Sequence, residues 1–341
     1  MANTRSISLA LQGGGSHGAF TWGVLDRLLE DERIVIDAIS GTSAGALNAA
    51  VLVNGYVRDG AAGARAALDD FWLTVSGYAG FSPIRRTWAD HLMGNWNFDS
   101  SPSYQWANLF SQFVSPYQSN PLNIHPLRDV LQQQLDIDAV RSCKDMRLFI
   151  AATNVRSGRA RIFDKSDLSI DALLASACLP HLYQAIEIDG DAYWDGGYMG
   201  NPSIWPLIYK AEAADVVLVQ ITPLERDEVP RNAPDISNRL DEIAFNSSLM
   251  HEMRAIAFVK RLLDEGALKE PYASRYKNMR MHMIGDPDSL KVLGATSKLN
   301  AERDFIDHLK EIGRERAESW LADHFKDLGK KSTLNIRETF L

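Results

Sequence analysis

Two glycine-rich segments close to the N-terminus constrain this chain more than anything else in it. LALQGGGSHGAF spans residues 9–20 and SGTSAGALNAA spans residues 40–50, each directly behind an apolar stretch. Ile7 to Gln12 has the pattern of a short strand, and Phe20, Val24, Leu25 and Leu28 then fall at helical spacing within residues 17–30. Val35 to Ser40 is rich in β-formers, and Ala44 to Val53 is a small-residue helix. The order is strand, glycine loop, helix, strand, tight turn, helix. Such a unit closes through a right-handed crossover into parallel pairing, so both loops leave the same ends of neighbouring strands. In open α/β sheets that edge binds ligands.

Strand patterns recur downstream. Residues 147–163 read as two strands about a Ser-Gly turn, residues 185–194 as a hairpin closed by Asp189-Gly190, and residues 215–222 as a strand buried on both faces. After residue 235 the pattern turns helical: Ile236, Leu240, Ile243, Met250, Met253, Ala257 and Leu263 mark one long amphipathic helix, and residues 302–325 a weaker one. The last residues, KKSTLNIRETFL, read as a loose tail. The expected class is α/β, a central sheet covered by helices. The expected division is an α/β domain over 1–230, interrupted by an aromatic-rich insertion at 71–125, and a helical C-terminal extension over 231–341 packing on the core.

Composition removes some functions. A net charge of −8 argues against nonspecific nucleic-acid binding, which needs Lys and Arg to displace counterions. Cys143 and Cys178 read as two small buried hydrophobes rather than a disulfide framework. Ile7 to Leu11 is too short for a secretory signal, and no run reaches the roughly eighteen apolar residues of a membrane span. The expectation is a cytoplasmic protein whose membrane contact, if any, is peripheral. With no HExxH and no CxxC, no metal or cofactor is expected. Oligomeric state is not legible.

Gly41-Thr42-Ser43-Ala44-Gly45 is a G-x-S-x-G between strand and helix, the pattern of a nucleophile elbow, in which a sharp turn lifts the serine hydroxyl above the sheet. The flanking glycines make room for that turn, and the helix beginning at Ala44 offers its positive end. Gly13, Gly15 and Gly18 also match G-x-G-x-x-G, so a nucleotide-binding oxidoreductase is a second reading. That reading wants an acidic residue closing the second strand, where this chain has the elbow. A serine attacking an ester creates an oxyanion that needs N–H donors, and bare glycine backbone supplies them. Asp195, within AYWDGGYMGNP, offers a base, although an Asp-Gly pair read alone is a turn.

The three motifs in this order, GGGxxG, GxSxG and then Asp195-Gly196-Gly197 followed by Asn201-Pro202, resemble the patatin-like phospholipase family. The likeness runs over residues 6–222 and includes Ala175-Ser176-Ala177-Cys178-Leu179-Pro180. It implies a three-layer fold with a mostly parallel sheet and a Ser-Asp dyad: Ser43 as nucleophile, Asp195 as base, the amides of Gly13, Gly14 and Gly15 as oxyanion hole, assisted by Ala44. Gly41 and Gly45 would shape the elbow, with Gly18, Gly196 and Gly197 in support. The family commonly carries Arg or Lys where this chain has His17. A histidine at a helix N-terminus tends to be neutral, so any charge it supplies would depend on pH; the plainer reading puts it in the first turn behind a Ser16 N-cap. A carboxylate of ordinary pKa is a weak base, which keeps open a triad using His251, His282, His308 or His324.

Residues 71–117 hold 12 of the 31 aromatic residues and only Arg85, Arg86, Asp90 and Asp99 as full charges. They form either an apolar cap over Ser43, lining an acyl pocket or touching lipid, or the core of their own helical subdomain. Residues 254–280 are locally basic, a solvated helix face or a contact for anionic headgroups. The expected function is a lipolytic serine hydrolase acting on phospholipid or other carboxylic esters through an acyl-enzyme. An acyltransferase, which would use the same acyl-enzyme, and a non-catalytic lipid-binding protein also fit these motifs.

Overall fold

The computed structural model describes residues 4–79, 82, 84–111, 113–269 and 275–341. Phe81 of the aromatic insertion and residues 270–274 of the basic stretch lie outside them. One eight-stranded sheet organises the molecule: β1 (Arg5–Leu11), β2 (Ile34–Thr42), β3 (Arg147–Asn154), β4 (Ala160–Asp164), β5 (Ile186–Ile188), β6 (Asp191–Asp195), β7 (Asp215–Gln220) and β8 (Arg280–Gly285). Five strands, in the order β3-β2-β1-β7-β8, run parallel, and β4, β5 and β6 are antiparallel additions at the β3 side.

Both faces are covered. Ile7, Leu9 and Leu11 of β1 and Val217 and Val219 of β7 point into one core, shared with α1 (Gly18–Glu30), α2 (Ala44–Ala79) and a helix over Arg303–His324. Ala10, Val216 and Leu218 point into the other, closed by Ile204, Leu207, Leu249, Met253, Ile256, Ile336 and Phe340. Alternate residues of one strand thus feed opposite cores, which is why these strands read as continuous apolar runs. The result is a three-layer α/β fold. Among the described residues no helix is long and apolar enough to cross a membrane. Both cysteines are buried and unpaired.

The register places the site. Leu11 pairs with Gly41, so the glycine loop and the elbow leave the sheet side by side. On β3, Phe149 to Ala151 pair with β2 on one edge and β4 on the other. At Ala152, β4 continues, but β2 has ended at Thr42 and Asp195 of β6 takes its place. β6 therefore continues the line of β2 just beyond the elbow. Two residues separated by about 150 positions become neighbours because a parallel strand stops and an antiparallel one fills its slot.

The C-terminal third is helical, as expected, but it also supplies β8, which the sequence pattern missed. RMHMIG has no β-branched run: Arg280 is there to pair with Asp215, at 2.7 Å, and His282 lies buried between Asp215 and Thr333. The tail is not loose. Thr333 and Leu334 donate to the Met281 carbonyl, and Ile336 and Phe340 are buried. The long helix over Ala233–Asp264 forms as expected, with Met253 buried as its spacing implies but with a different inward face over its first half. Glu242, Asn246, Leu249, Met253 and Ile256 are buried, whereas Ile236, Leu240 and Ile243 are exposed. Its buried stripe carries two polar residues because the loops at the sheet edge need partners there.

Candidate active site

Ser43 sits between β2 and α2 with φ of 53°, a left-handed conformation that a non-glycine residue holds only when its surroundings enforce it. The enforcement is visible. A side chain at Gly41 would meet the backbone of Gly45, and one at Gly45 would strike the Leu11 carbonyl, so both positions admit only hydrogen. The Ser43 N–H donates to Ser176 Oγ at 3.0 Å, and Thr42 Oγ1 donates to the Gly200 carbonyl at 2.6 Å. A Cβ at Gly13 would overlap that of Ser43, so the glycine loop lies directly against the elbow.

Asp195 ends β6 and is wholly buried. Its Oδ1 accepts the Gly197 N–H at 2.7 Å, while Oδ2 is buried without a hydrogen-bond partner. Gly196 packs on the Ala151 carbonyl and Gly197 on the Phe245 ring, which accounts for the paired glycines. Burial drives the carboxyl up to about 6; the Gly197 amide, the nearby Ser43 hydroxyl and the charge of Lys298 offset part of that rise. Ser43 is close enough to favour the charged form, yet no bond of ordinary geometry closes on Oδ2. Hydrogen bonds between reacting groups are often loose before substrate arrives.

The four expected oxyanion donors do not stand alike. The Gly13 N–H is already donated to Asn201 Oδ1 at 2.6 Å, and Asn201 Nδ2 returns a bond to the Gly13 carbonyl at 3.4 Å. The Gly13 N–H is thus already engaged within the protein. For the N–H groups of Gly14, Gly15 and Ala44 no acceptor exists among the described residues. Gly15, at φ 58° and pressed against the Lys298 carbonyl, admits no other residue. Gly18 abuts Ala44, and its carbonyl accepts from Asn48 at 2.9 Å, holding the starts of α1 and α2 together.

His17 is buried, with Nε2 2.8 Å from Ser297 Oγ. Burial, with Lys298 and Arg226 nearby, lowers it to about 3, so it carries no charge near neutral pH. Ser16 does not cap the helix; the short 3-10 turn Gly15–His17 intervenes, and α1 starts without a side-chain cap. Of the triad candidates, His282 lies at the opposite end of the sheet with Asp215, His308 stacks on Trp96, His324 faces Asp327, and His251 is exposed. Among the described residues no histidine hydrogen-bonds Ser43 or Asp195.

A buried network that sequence reasoning missed holds the loops in place. Gln12 Oε1 accepts the N–H groups of Ile221 and Thr222 at 2.9 and 3.0 Å, and its Nε2 donates to the Asn201 carbonyl and to Asn246 Oδ1. The signal available was a glutamine directly behind a buried strand. His91, Glu302 and Asp304 bring ligand atoms within 4.8 Å of one another, but Arg86 already binds both carboxylates, at 2.6 and 2.8 Å.

The model for the patatin-like phospholipases matches residues 9–208, more than half of the chain and all three motifs. The chain belongs to the patatin-like phospholipase family. This patatin-like chain is also similar to VipD from Legionella pneumophila, at 16% identity and a TM-score of 0.42, over 95% of this chain and 67% of that one. Full-length ExoU of Pseudomonas aeruginosa, solved in complex with SpcU, is similar at 15% identity and a TM-score of 0.35, over 93% of this chain and 53% of that one. The patatin-like chain thus spans about half the length of ExoU. No curated protein sequence matches it.

Proposed function

We propose that this protein is a lipolytic serine hydrolase in which Ser43 and Asp195 form a catalytic dyad acting on carboxylic ester bonds of phospholipids or other lipids. One observation carries the reading: a serine in an enforced left-handed turn stands beside a fully buried carboxylate whose second oxygen has no partner. Burial raises that carboxyl to about 6, which makes it a better base than an ordinary aspartate while leaving it ionised at pH 7.

The steps follow from the positions. Ser43 Oγ attacks the ester carbonyl as its proton passes to Asp195 Oδ2, and the carbonyl oxygen becomes an oxyanion held by the amides of Gly14, Gly15 and Ala44. Collapse breaks the bond to the alcohol, which leaves with the proton from Asp195. Water then attacks the acyl-Ser43 ester, gives a proton to Asp195, and the carboxylic acid departs with Ser43 Oγ reprotonated.

The aromatic insertion favours a lipid partner. Phe71, Trp72 and Phe98 are buried, but Trp88, Trp106, Phe113, Leu122 and Ile124 are each more than 60% exposed. Segments with that much bare apolar surface fit a peripheral contact with lipid better than a self-contained core. Ser43 itself is only 8% exposed.

The test is turnover on a panel of phospholipid, lysophospholipid and neutral esters by the unaltered chain, Ser43→Ala and Asp195→Asn. The reading expects Ser43→Ala to abolish hydrolysis and Asp195→Asn to lower kcat by roughly 10²–10⁴. Near-normal turnover by Asp195→Asn would end it.

A further inference from the structure

Resting on the serine-ester reading above, we infer that Lys298 is the anion-holding residue of the site and receives the phosphate group of a substrate whose ester carbonyl faces Ser43. Lys298 lies on the 3-10 turn Thr296–Leu299, far outside the segment that carries the three motifs. That turn is clamped onto the glycine loop. Its backbone presses on Gly15, and Ser297 Oγ meets His17 Nε2 at 2.8 Å while donating to the Gly294 carbonyl, also at 2.8 Å. The same turn grips the aromatic insertion: Thr296 Oγ1 accepts the Phe98 N–H at 3.0 Å, and Asn300 donates to the Trp96 carbonyl at 3.0 Å. Lys298 thus stands where the glycine loop meets the apolar surface.

The ammonium lies 5.9 Å from the centroid of the Phe245 ring, and that ring packs on Gly197, whose amide holds Asp195. The charge is therefore beside the dyad, and it is half-buried without a counter-ion: among the described residues Lys298 makes no ion pair and no side-chain hydrogen bond. Neighbouring cations are committed. Arg226 binds Glu242 and the carbonyls of Lys291 and Leu293, and Arg239 binds Glu242 and the Leu224 carbonyl. His17 is neutral, so the glycine loop brings no charge of its own. A desolvated, uncommitted ammonium at the edge of a serine site suits an anion with several acceptor oxygens, and a phosphate group supplies them. Burial lowers the Lys298 ammonium from its ordinary value, and Glu242, Asp241 and Asp195 oppose that fall from a distance, so a merely structural counter-charge is the rival explanation.

Binding separates the two without requiring turnover. Dodecyl phosphate, inorganic phosphate and dodecyl maltoside, each as monomers, are titrated by tryptophan fluorescence against the full chain, Lys298→Met and Lys298→Arg, with thermal melts to confirm folding. Lys298→Met is expected to weaken dodecyl phosphate about tenfold, the loss of one charge-assisted contact, and dodecyl maltoside far less, with Lys298→Arg restoring most of the difference. Inorganic phosphate bound with the same lysine dependence would assign the subsite to the phosphate alone; its failure to bind beside tight dodecyl phosphate would assign it to a lipid headgroup. Equal weakening of both amphiphiles, or no change for dodecyl phosphate, overturns the inference. A chain that shows the binding pattern and hydrolyses no ester keeps the Lys298 site and loses the dyad; Ser43-dependent hydrolysis with lysine-independent binding does the reverse.

Discussion

Among individual residues, one carboxylate governs the pH behaviour of the site. Asp195 must be ionised to take a proton from Ser43, and burial raises it to about 6. kcat/KM is therefore expected to fall about tenfold per pH unit below pH 6 and to level off above it; an acidic limb near the ordinary aspartate value would contradict the burial argument. Stability moves the other way. Below its unfolded value of 3.8 the group is protonated in both states and carries no penalty; between there and about pH 6 the unfolded chain ionises first, and stability is lost as pH rises. Asp195→Asn should consequently match the unaltered chain in urea unfolding at pH 3.5 and exceed it at pH 8, by about 3 kcal/mol. The residues legible in the sequence were those whose role is a local backbone demand. Ser43, Gly41 and Gly45 announce a tight turn within five positions. Asn201 bonding Gly13, Gln12 bonding Asn246 and Lys298 pressing on Gly15 bridge well over a hundred positions each, and nothing local marks them.

At the scale of elements, the first four were readable because their apolar spacing and their glycine punctuation agree. β8 was not, because its side chains serve ion pairs and buried polar contacts rather than a hydrophobic stripe. In the helix over Ala233–Asp264 the element and the buried Met253 were legible but the inward face of its first half was not, since Glu242 and Asn246 are turned inward by Arg226 and Gln12. The C-terminal segment over 333–341 closes the second core with Ile336 and Phe340. Phe340→Ala should cost about 3–5 kcal/mol by the usual penalty for emptying a buried aromatic site. A variant melting with the unaltered chain would mean that this segment is not part of the core.

At the scale of the whole molecule, the sheet edge that carries the site adjoins the aromatic insertion, tied to it through Thr296 and Asn300. If that insertion meets lipid, replacing exposed Trp106 and Phe113 together by serine should weaken sedimentation with phospholipid vesicles at least tenfold. The melting temperature should barely move, since neither side chain is buried. Unchanged vesicle binding would leave the exposed aromatics without a lipid role. The insertion was legible as aromatic but not as exposed, because burial depends on which elements pack above it.

The whole mechanism rests on Ser43 being the activated nucleophile. A fluorophosphonate probe, which forms a stable bond only with such a serine, tests it most directly when labelled peptides are mapped in the unaltered chain, Ser43→Ala and Asp195→Asn. The account predicts one labelled peptide containing Ser43, no label in Ser43→Ala, and strongly slowed labelling in Asp195→Asn. Label that persists in Ser43→Ala, or that maps to another residue, would contradict it.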